Sequence, residues 1–257
     1  MAFIICEGRK KVGFERYNHP NVMLRRYHLK RFTLVVNILI GTQKPQNQTE
    51  TVFLDVGCGD GSYEAALEKN FSHLIALDLT RRNLGNAQRI IHEQRKVDFV
   101  LADAEHLPFT DMSTDVVLCS EVLEHVNNPL KALSELSRVF RQALIVTVPI
   151  LTILRRARVV QYGTRLDRIE SKVGHVNMHE WSWWKSAACD AVKKRGKGCN
   201  LKTIYIYASS EPFTSWFKSF NNPVAYAFLD KVLSALENFL SRPAFANHLV
   251  AVLTARQ

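Results

Sequence analysis

The 257-residue chain predicts an α/β fold: a mostly parallel sheet with helices on both faces. Three observations predict it. Short apolar runs that suit buried strands alternate with helix-period segments between positions 51 and 149. The first run, Val52-Phe53-Leu54 and Val56 around Asp55, ends in three alternate glycines, Gly57, Gly59 and Gly61. The second, Ser72 to Leu77, ends in Asp78, an acid about twenty residues after the loop, well placed for ribose hydroxyls.

In chain order, Pro20 and Asn21 start a helix through Met23, Tyr27, Phe32, Val35 and Leu39, ended by Gly41. It carries Arg25, Arg26, Lys30 and Arg31, and is expected to pack on the sheet or over a bound cofactor. Lys44 to Glu50 is a polar linker containing Pro45. The three glycines allow a sharp turn and a close approach of bare backbone to a ligand. Ser62-Tyr63-Glu64-Ala65 then opens a helix whose N-terminus points at that ligand. The spacing G-x-G-x-G lacks the later glycine of G-x-G-x-x-G, which weakens a dinucleotide reading. A polar helix from Thr80 to Gln94 and a third strand from Val97 to Leu101 lead to Asp103-Ala104-Glu105. The fourth strand, Asp115 to Cys119, runs into Ser120-Glu121-Val122-Leu123-Glu124-His125. Asn127-Asn128-Pro129 starts a helix with an apolar stripe of Leu130, Leu133, Leu136 and Val139-Phe140. Arg141-Gln142 turns into the fifth strand, Ala143 to Val148. Trp181, Trp183 and Trp184 begin a further helix, better suited to packing on the sheet than to stacking bases. Strands at Leu201 to Tyr207 and Asn247 to Thr254 close the fold, and Pro223 to Ser241 has apolar residues at helical spacing.

Asp55-Val56-Gly57-Cys58-Gly59-Asp60-Gly61, Asp78, Asp103 and Ser120 to His125, in this order, resemble the class I S-adenosylmethionine (SAM) methyltransferases. The last of these segments resembles the small-molecule subgroup called type 11. The likeness is strong from about 51 to 149, loose after it and negligible before. It implies a Rossmann-like class I sheet with an antiparallel last strand, SAM as cofactor, and methyl transfer as the activity. It also implies cofactor contacts at Asp55, Gly57, Cys58, Gly59, Gly61, Asp78, Leu79, Asp103, Ala104, Ser120 and Glu121. Asp103 stands where the family meets the adenine amino group, and Ser120-Glu121 lies beside the cofactor's methionine end. Arg141-Gln142 replaces the family's Pro-Gly-Gly-like turn. Many type 11 relatives carry a glycine–histidine segment similar to Gly174-His175-Val176-Asn177-Met178-His179-Glu180, close to the acceptor.

Methyl transfer from a sulfonium chiefly requires alignment of the acceptor and exclusion of water. An oxygen acceptor calls for a base, and His125, His175, His179 and Glu124 are the candidates by location; His125 equally suits bracing its loop, and His175 or His179 a helix start. His175 and His179, four apart, share a face if helical, the spacing of a metal pair. However, H-E-x-x-H is absent and no third ligand is evident, so metal independence is expected. No Asn/Asp-Pro-Pro-Tyr motif and no Pro-Cys dipeptide follows the fourth strand, against amino-group and cysteine-based pyrimidine methylation.

The length fits one methyltransferase domain, 1–257. It divides into a helical cap at 1–50, a SAM-binding core at 51–149 and acceptor-side insertions at 150–198 and 208–246. Charge follows the same division. Basic residues outnumber acidic ones by nine to three before position 51 and by eleven to four over 151–200, whereas the core between has nine to fourteen. Basic flanks around an acidic core fit a small or lipid-like acceptor with negative charge, and weak contact with an anionic membrane surface. Glutamine at Arg155, Arg156 and Arg158 is expected to weaken such contact. Nucleic acid stays open as the alternative, with an RNA methyltransferase using those flanks, as does a non-catalytic partner protein with a SAM fold. Five cysteines without paired spacing, and charges that follow rather than precede the first apolar residues, fit a cytoplasmic protein.

Overall fold

In the computed structural model the described residues are 22–42, 51–91, 96–150, 174–193, 199–206 and 248–255. Arg155, Arg156 and Arg158, the rest of 151–173, and all of 208–246 lie outside them, as does the linker 44–50.

Seven strands form one sheet. They are β1 (Val52–Val56), β2 (His73–Asp78), β3 (Val97–Leu101), β4 (Thr114–Ser120), β5 (Phe140–Pro149), β6 (Cys199–Ile206) and β7 (His248–Ala255). Their order is β3-β2-β1-β4-β5-β7-β6. Strands β1 to β5 pair in parallel, and β7 lies antiparallel between β5 and β6. The expected antiparallel last strand is therefore present. The described helices are α1 (Val22–Gly41), α2 (Ser62–Leu67), α3 (Arg81–Ile90), α4 (Pro129–Val139) and α5 (Trp181–Lys193).

The near-continuous apolar runs of the strands divide by the two-residue period of a strand. Phe53, Leu74, Ala76, Val116, Leu118, Ala143 and Ile145 face one layer with Val35, Leu39, Leu67 and Ala87 from α1, α2 and α3. Leu54, Val56, Ile75, Leu77, Val117, Leu144 and Val146 face the other, with Leu133 and Leu136 of α4 and Trp184 and Ala188 of α5. Trp181 and Trp183 pack against that second layer, so the tryptophans serve as core. Each fully buried leucine here contributes about 1.5–3 kcal/mol relative to exposure.

Helix starts follow local chemistry. The Thr80 hydroxyl accepts from the Asn83 N–H at α3, and the Asn128 side chain accepts from the Lys131 N–H at α4, where Pro129 occupies the first turn. Arg141 and Gln142 differ from expectation: they do not form a turn but lie within β5, which follows α4 at Phe140 without a loop. The cause is Asp115 of β4, buried and in need of donors. Its Oδ1 accepts from Arg141 Nε at 2.8 Å and Gln142 Nε2 at 2.7 Å, and its Oδ2 from the Val52 N–H at 2.9 Å. One carboxylate thus ties β4 to both neighbours. Among the described residues no helix is long and apolar enough to cross a membrane.

Candidate active site

The chain leaves β1 towards β2 on one side and later returns to β4 on the other. In an open parallel sheet this reversal leaves a crevice outside the carboxyl ends of the strands. The loop Gly57–Gly61, Asp78-Leu79, Asp103-Ala104 and Ser120 to His125 all follow those ends, on β1, β2, β3 and β4.

Gly57, Gly59 and Gly61 have φ of 83°, 58° and 75°. A side chain at Gly57 would overlap the Val122 methyl, and one at Gly61 would come within 2.8 Å of Ala87 Cβ in α3. The glycines therefore let the β1 loop touch both the β4 loop and α3. The loop's N–H groups turn inwards. Those of Gly57 and Cys58 donate to the Leu77 carbonyl, Gly59 to Asp78 Oδ2, Gly61 to the Cys58 carbonyl and Ser62 to Asp60 Oδ1. A dinucleotide loop needs such donors for its pyrophosphate; here five are spent internally. The fit is to a cofactor without phosphates.

Asp55 points beneath the loop towards Glu64 of α2. Burial, followed by the mutual repulsion of the two carboxylates, raises Glu64 well above the ordinary range, and burial likewise raises Asp55. Burial and mutual repulsion both favour a proton on the pair over two charges. The Cys58 thiol is buried and pushed far up, chiefly by burial, which leaves it inert.

Asp78 is the most heavily bonded acid of the site. Besides Gly59, it accepts from the Thr80 N–H at 2.8 Å and the Thr80 hydroxyl at 3.0 Å. The Asn83 amide donates to both its oxygens at 3.1 Å. With about four acceptor sites on a carboxylate, ribose hydroxyls must exchange with one of these donors, and Asn83 is the side chain able to swing away. Leu79 follows with 68% of its surface exposed, an apolar face beside the acid. Asp103 Oδ1 accepts from the Glu105 N–H at 2.9 Å, yet its side chain stays 44% exposed; Ala104 is buried. Bare backbone at Gly59, where an added Cβ would meet nothing, an exposed apolar side chain and acids at successive strand ends suit an adenosine.

At the end of β4, Ser120 and Glu121 bond within the fold. Ser120 bonds Thr147 at 2.9 Å and Tyr63 at 3.3 Å. Glu121, at φ 59°, sets its carboxylate into the fold, with the side chain 17% exposed. There it meets Arg31 of α1 at 2.7 Å and His248 of β7 at 3.1 Å, and accepts from the Thr147 hydroxyl at 3.0 Å. Burial alone would raise Glu121, but Arg31 and His248 outweigh it and hold the carboxyl well below its usual range. Sequence reasoning missed Asn83, Arg31 and His248. For Arg31 a signal existed: with Val35 and Leu39 it continues the buried stripe at four-residue spacing.

The histidines pair differently than their spacing predicts. Residues 175–180 are not helical, so His175 and His179 share no helix face. His179 instead stacks on Trp183 at 3.6 Å between ring centres, and burial lowers its pKa. His125 and His175 meet, with ring centres 4.9 Å apart and edge to face. His125 Nδ1 lies 2.9 Å from the Gly174 carbonyl. The Glu124 carbonyl accepts from the N–H groups of Val176 and Asn177 at 2.8 and 3.0 Å. One nitrogen or oxygen atom from each of Glu124, His125 and His175 lies within 4.8 Å of the others, a trio that includes His175 but not His179.

Residues 54–145 match the family model for the methyltransferase domain of type 11. An uncharacterised protein of Methanocaldococcus jannaschii is 41% identical over 108 residues, 41% of this chain and 44% of that protein. The demethylmenaquinone methyltransferase of Clavibacter sepedonicus is 40% identical over 88 residues, 34% of this chain and 36% of that enzyme. The chain thus spans less than half the length of these curated relatives. The magnesium protoporphyrin IX methyltransferase of Synechocystis PCC 6803, with bound SAH, superposes with a TM-score of 0.60 over 96% of this chain and 95% of that one, at 17% identity, a likeness of fold. The matched core and the sheet order agree: residues 54–145 are similar to the methyltransferase domain of type 11, a family whose cofactor is S-adenosylmethionine, and the sheet has the fold of the class I SAM-dependent methyltransferases.

Proposed function

We propose that this protein transfers a methyl group from SAM to a small or lipid-like acceptor. The observation that carries the reading is the crevice at the β1/β4 reversal, where a glycine loop with inward N–H groups stands beside Asp78, Leu79 and Asp103. Gly57 and Gly59 present backbone to the cofactor, Asp78 takes the ribose hydroxyls, Leu79 lies on the adenine face and Asp103 accepts from its amino group. SAM supplies a methyl group on a sulfonium, already activated for displacement. The chain's own task is to align the acceptor and keep water out. The β4 loop and residues 174–177, joined through Glu124 and His125, form the acceptor side. Two matched proteins have demethylmenaquinone and magnesium protoporphyrin IX in their names. Together with the basic flanks they support an amphiphilic acceptor carrying negative charge.

The experiment is calorimetry with SAM. Wild type binds, and Asp78→Ala loses ribose bonds worth about 1–3 kcal/mol, roughly 5- to 150-fold in Kd. Asn83→Ala binds at least as tightly as wild type, because it frees the acid for the ribose. Folded wild type that does not bind SAM refutes the function; a weakened Asn83→Ala refutes the exchange alone. The acceptor is then sought by mass spectrometry of cell extract incubated with protein and methyl-labelled SAM.

A further inference from the structure

We propose that Glu124, His125 and His175 form a binding site for one divalent transition-metal ion of the zinc type, on the acceptor side of the crevice. Two imidazoles and a carboxylate are a known zinc donor set that leaves a coordination position open, and imidazole selects transition ions over magnesium.

The site is built from the backbone outwards. A carbonyl only accepts, so His125 Nδ1 must carry the proton it shares with Gly174 at 2.9 Å. That bond fixes the ring and leaves Nε2 to face Glu124 Oε1 at 3.9 Å. Metal-binding histidines are held in this way, the far ring nitrogen donating to a carbonyl or carboxylate. His175 is clamped on both sides: Gly174 before it bonds His125, and Val176 after it donates to the Glu124 carbonyl at 2.8 Å. The Asn177 amide donates to the Leu123 and Val126 carbonyls and closes the same seam. Gly174 itself, at φ 78°, has the left-handed backbone that favours glycine, and packs in ordinary contact with the His125 ring.

Donor atoms at about 2.0–2.2 Å from one tetrahedral ion stand about 3.3–3.6 Å apart, and these lie within 4.8 Å. Closure needs at most about 1.5 Å of side-chain movement, which the exposed His125 ring can supply. Glu124 is buried, whereas the His125 side chain is 41% exposed, so the ion's open position faces outwards, where an acceptor oxygen can reach it. That role at the acceptor rests on the methyl-transfer reading; ion binding does not. The competing arrangement is a direct pairing of His125 with Glu124, 3.9 Å apart, with no ion.

The test uses the untagged full chain, stripped with chelator, titrated with zinc chloride by calorimetry and with cobalt(II) by visible absorption. One zinc per chain is expected, with cobalt bands showing nitrogen and oxygen ligands. His175→Ala and Glu124→Gln should each weaken zinc binding at least about tenfold while keeping the wild-type thermal shift with SAM. His179→Ala should bind zinc as wild type does. No saturable zinc site, undiminished binding in His175→Ala, or equal weakening in His179→Ala would overturn the proposal. Zinc binding by a chain that ignores SAM would uphold the ion site and refute the methyl-transfer reading.

Discussion

At the scale of single residues, Gly57 shows how a sequence signal becomes a physical constraint. Its φ of 83° and the overlap of any added Cβ with Val122 are two separate demands. Gly57→Ala should cost about 1–2 kcal/mol for the left-handed backbone and a further 1–3 kcal/mol or so for the overlap. Val122→Ala in the same chain should recover only the second part. Urea unfolding of both variants separates them; full recovery in the double variant would mean that the backbone is not strained. The glycines were readable because the turn demand is local. The partners of Asp78 were not, since nothing in the residues around 78 says that Asn83 reaches back to both oxygens.

Among the elements, a buried ion pair joins α1 to the sheet edge that carries the candidate site. Arg31 meets Glu121 with side chains 7% and 17% exposed, and His248 brings β7 to the same carboxylate. Glu121 pays for this with a left-handed backbone, a strain that the surrounding bonds sustain. Removing Arg31 leaves the buried Glu121 charge with His248 and Thr147 but without its guanidinium, so Arg31→Leu should lose up to about 3–5 kcal/mol. Adding Glu121→Gln should restore part of the loss, because the charge deprived of its guanidinium is then gone. Denaturant midpoints read this directly, and a double variant less stable than Arg31→Leu would contradict it. The helix was legible as an element; its attachment was not, because Glu121 reads as a loop acid until the fold turns it inwards.

For the molecule as a whole, three buried acids set two opposite pH trends. Glu121 is held below its unfolded value of 4.5, so its stabilisation is complete above that value and is lost as pH falls further. Asp55 and Glu64 are raised, Asp55 to about 8 from 3.8. Between those limits the native state holds more protons than the unfolded chain, so stability declines as pH rises. Unfolding free energies from pH 5 to 8 should fall for wild type, and more shallowly for Glu64→Gln, which keeps a hydrogen-bonding group without a charge. Parallel slopes would show that the pair does not share a proton.

The sequence by itself determined the elements, the glycine loop and the acids that follow the strand ends. Apolar runs of strand length, three glycines, acids at two strand ends and an Asn-Pro helix start are constraints within a few residues of each other, and each appears where it was expected. Only the tertiary structure decided which groups meet across the chain. Glu121 bonds a histidine 127 positions away, His125 binds a carbonyl 49 positions away, and Arg141 sits in a strand because Asp115 needs its charge. Such pairs carry no periodic or local signal. Their energy depends on burial, which leaves a charged or polar group no alternative to a partner, and burial exists only once the sheet has closed over them.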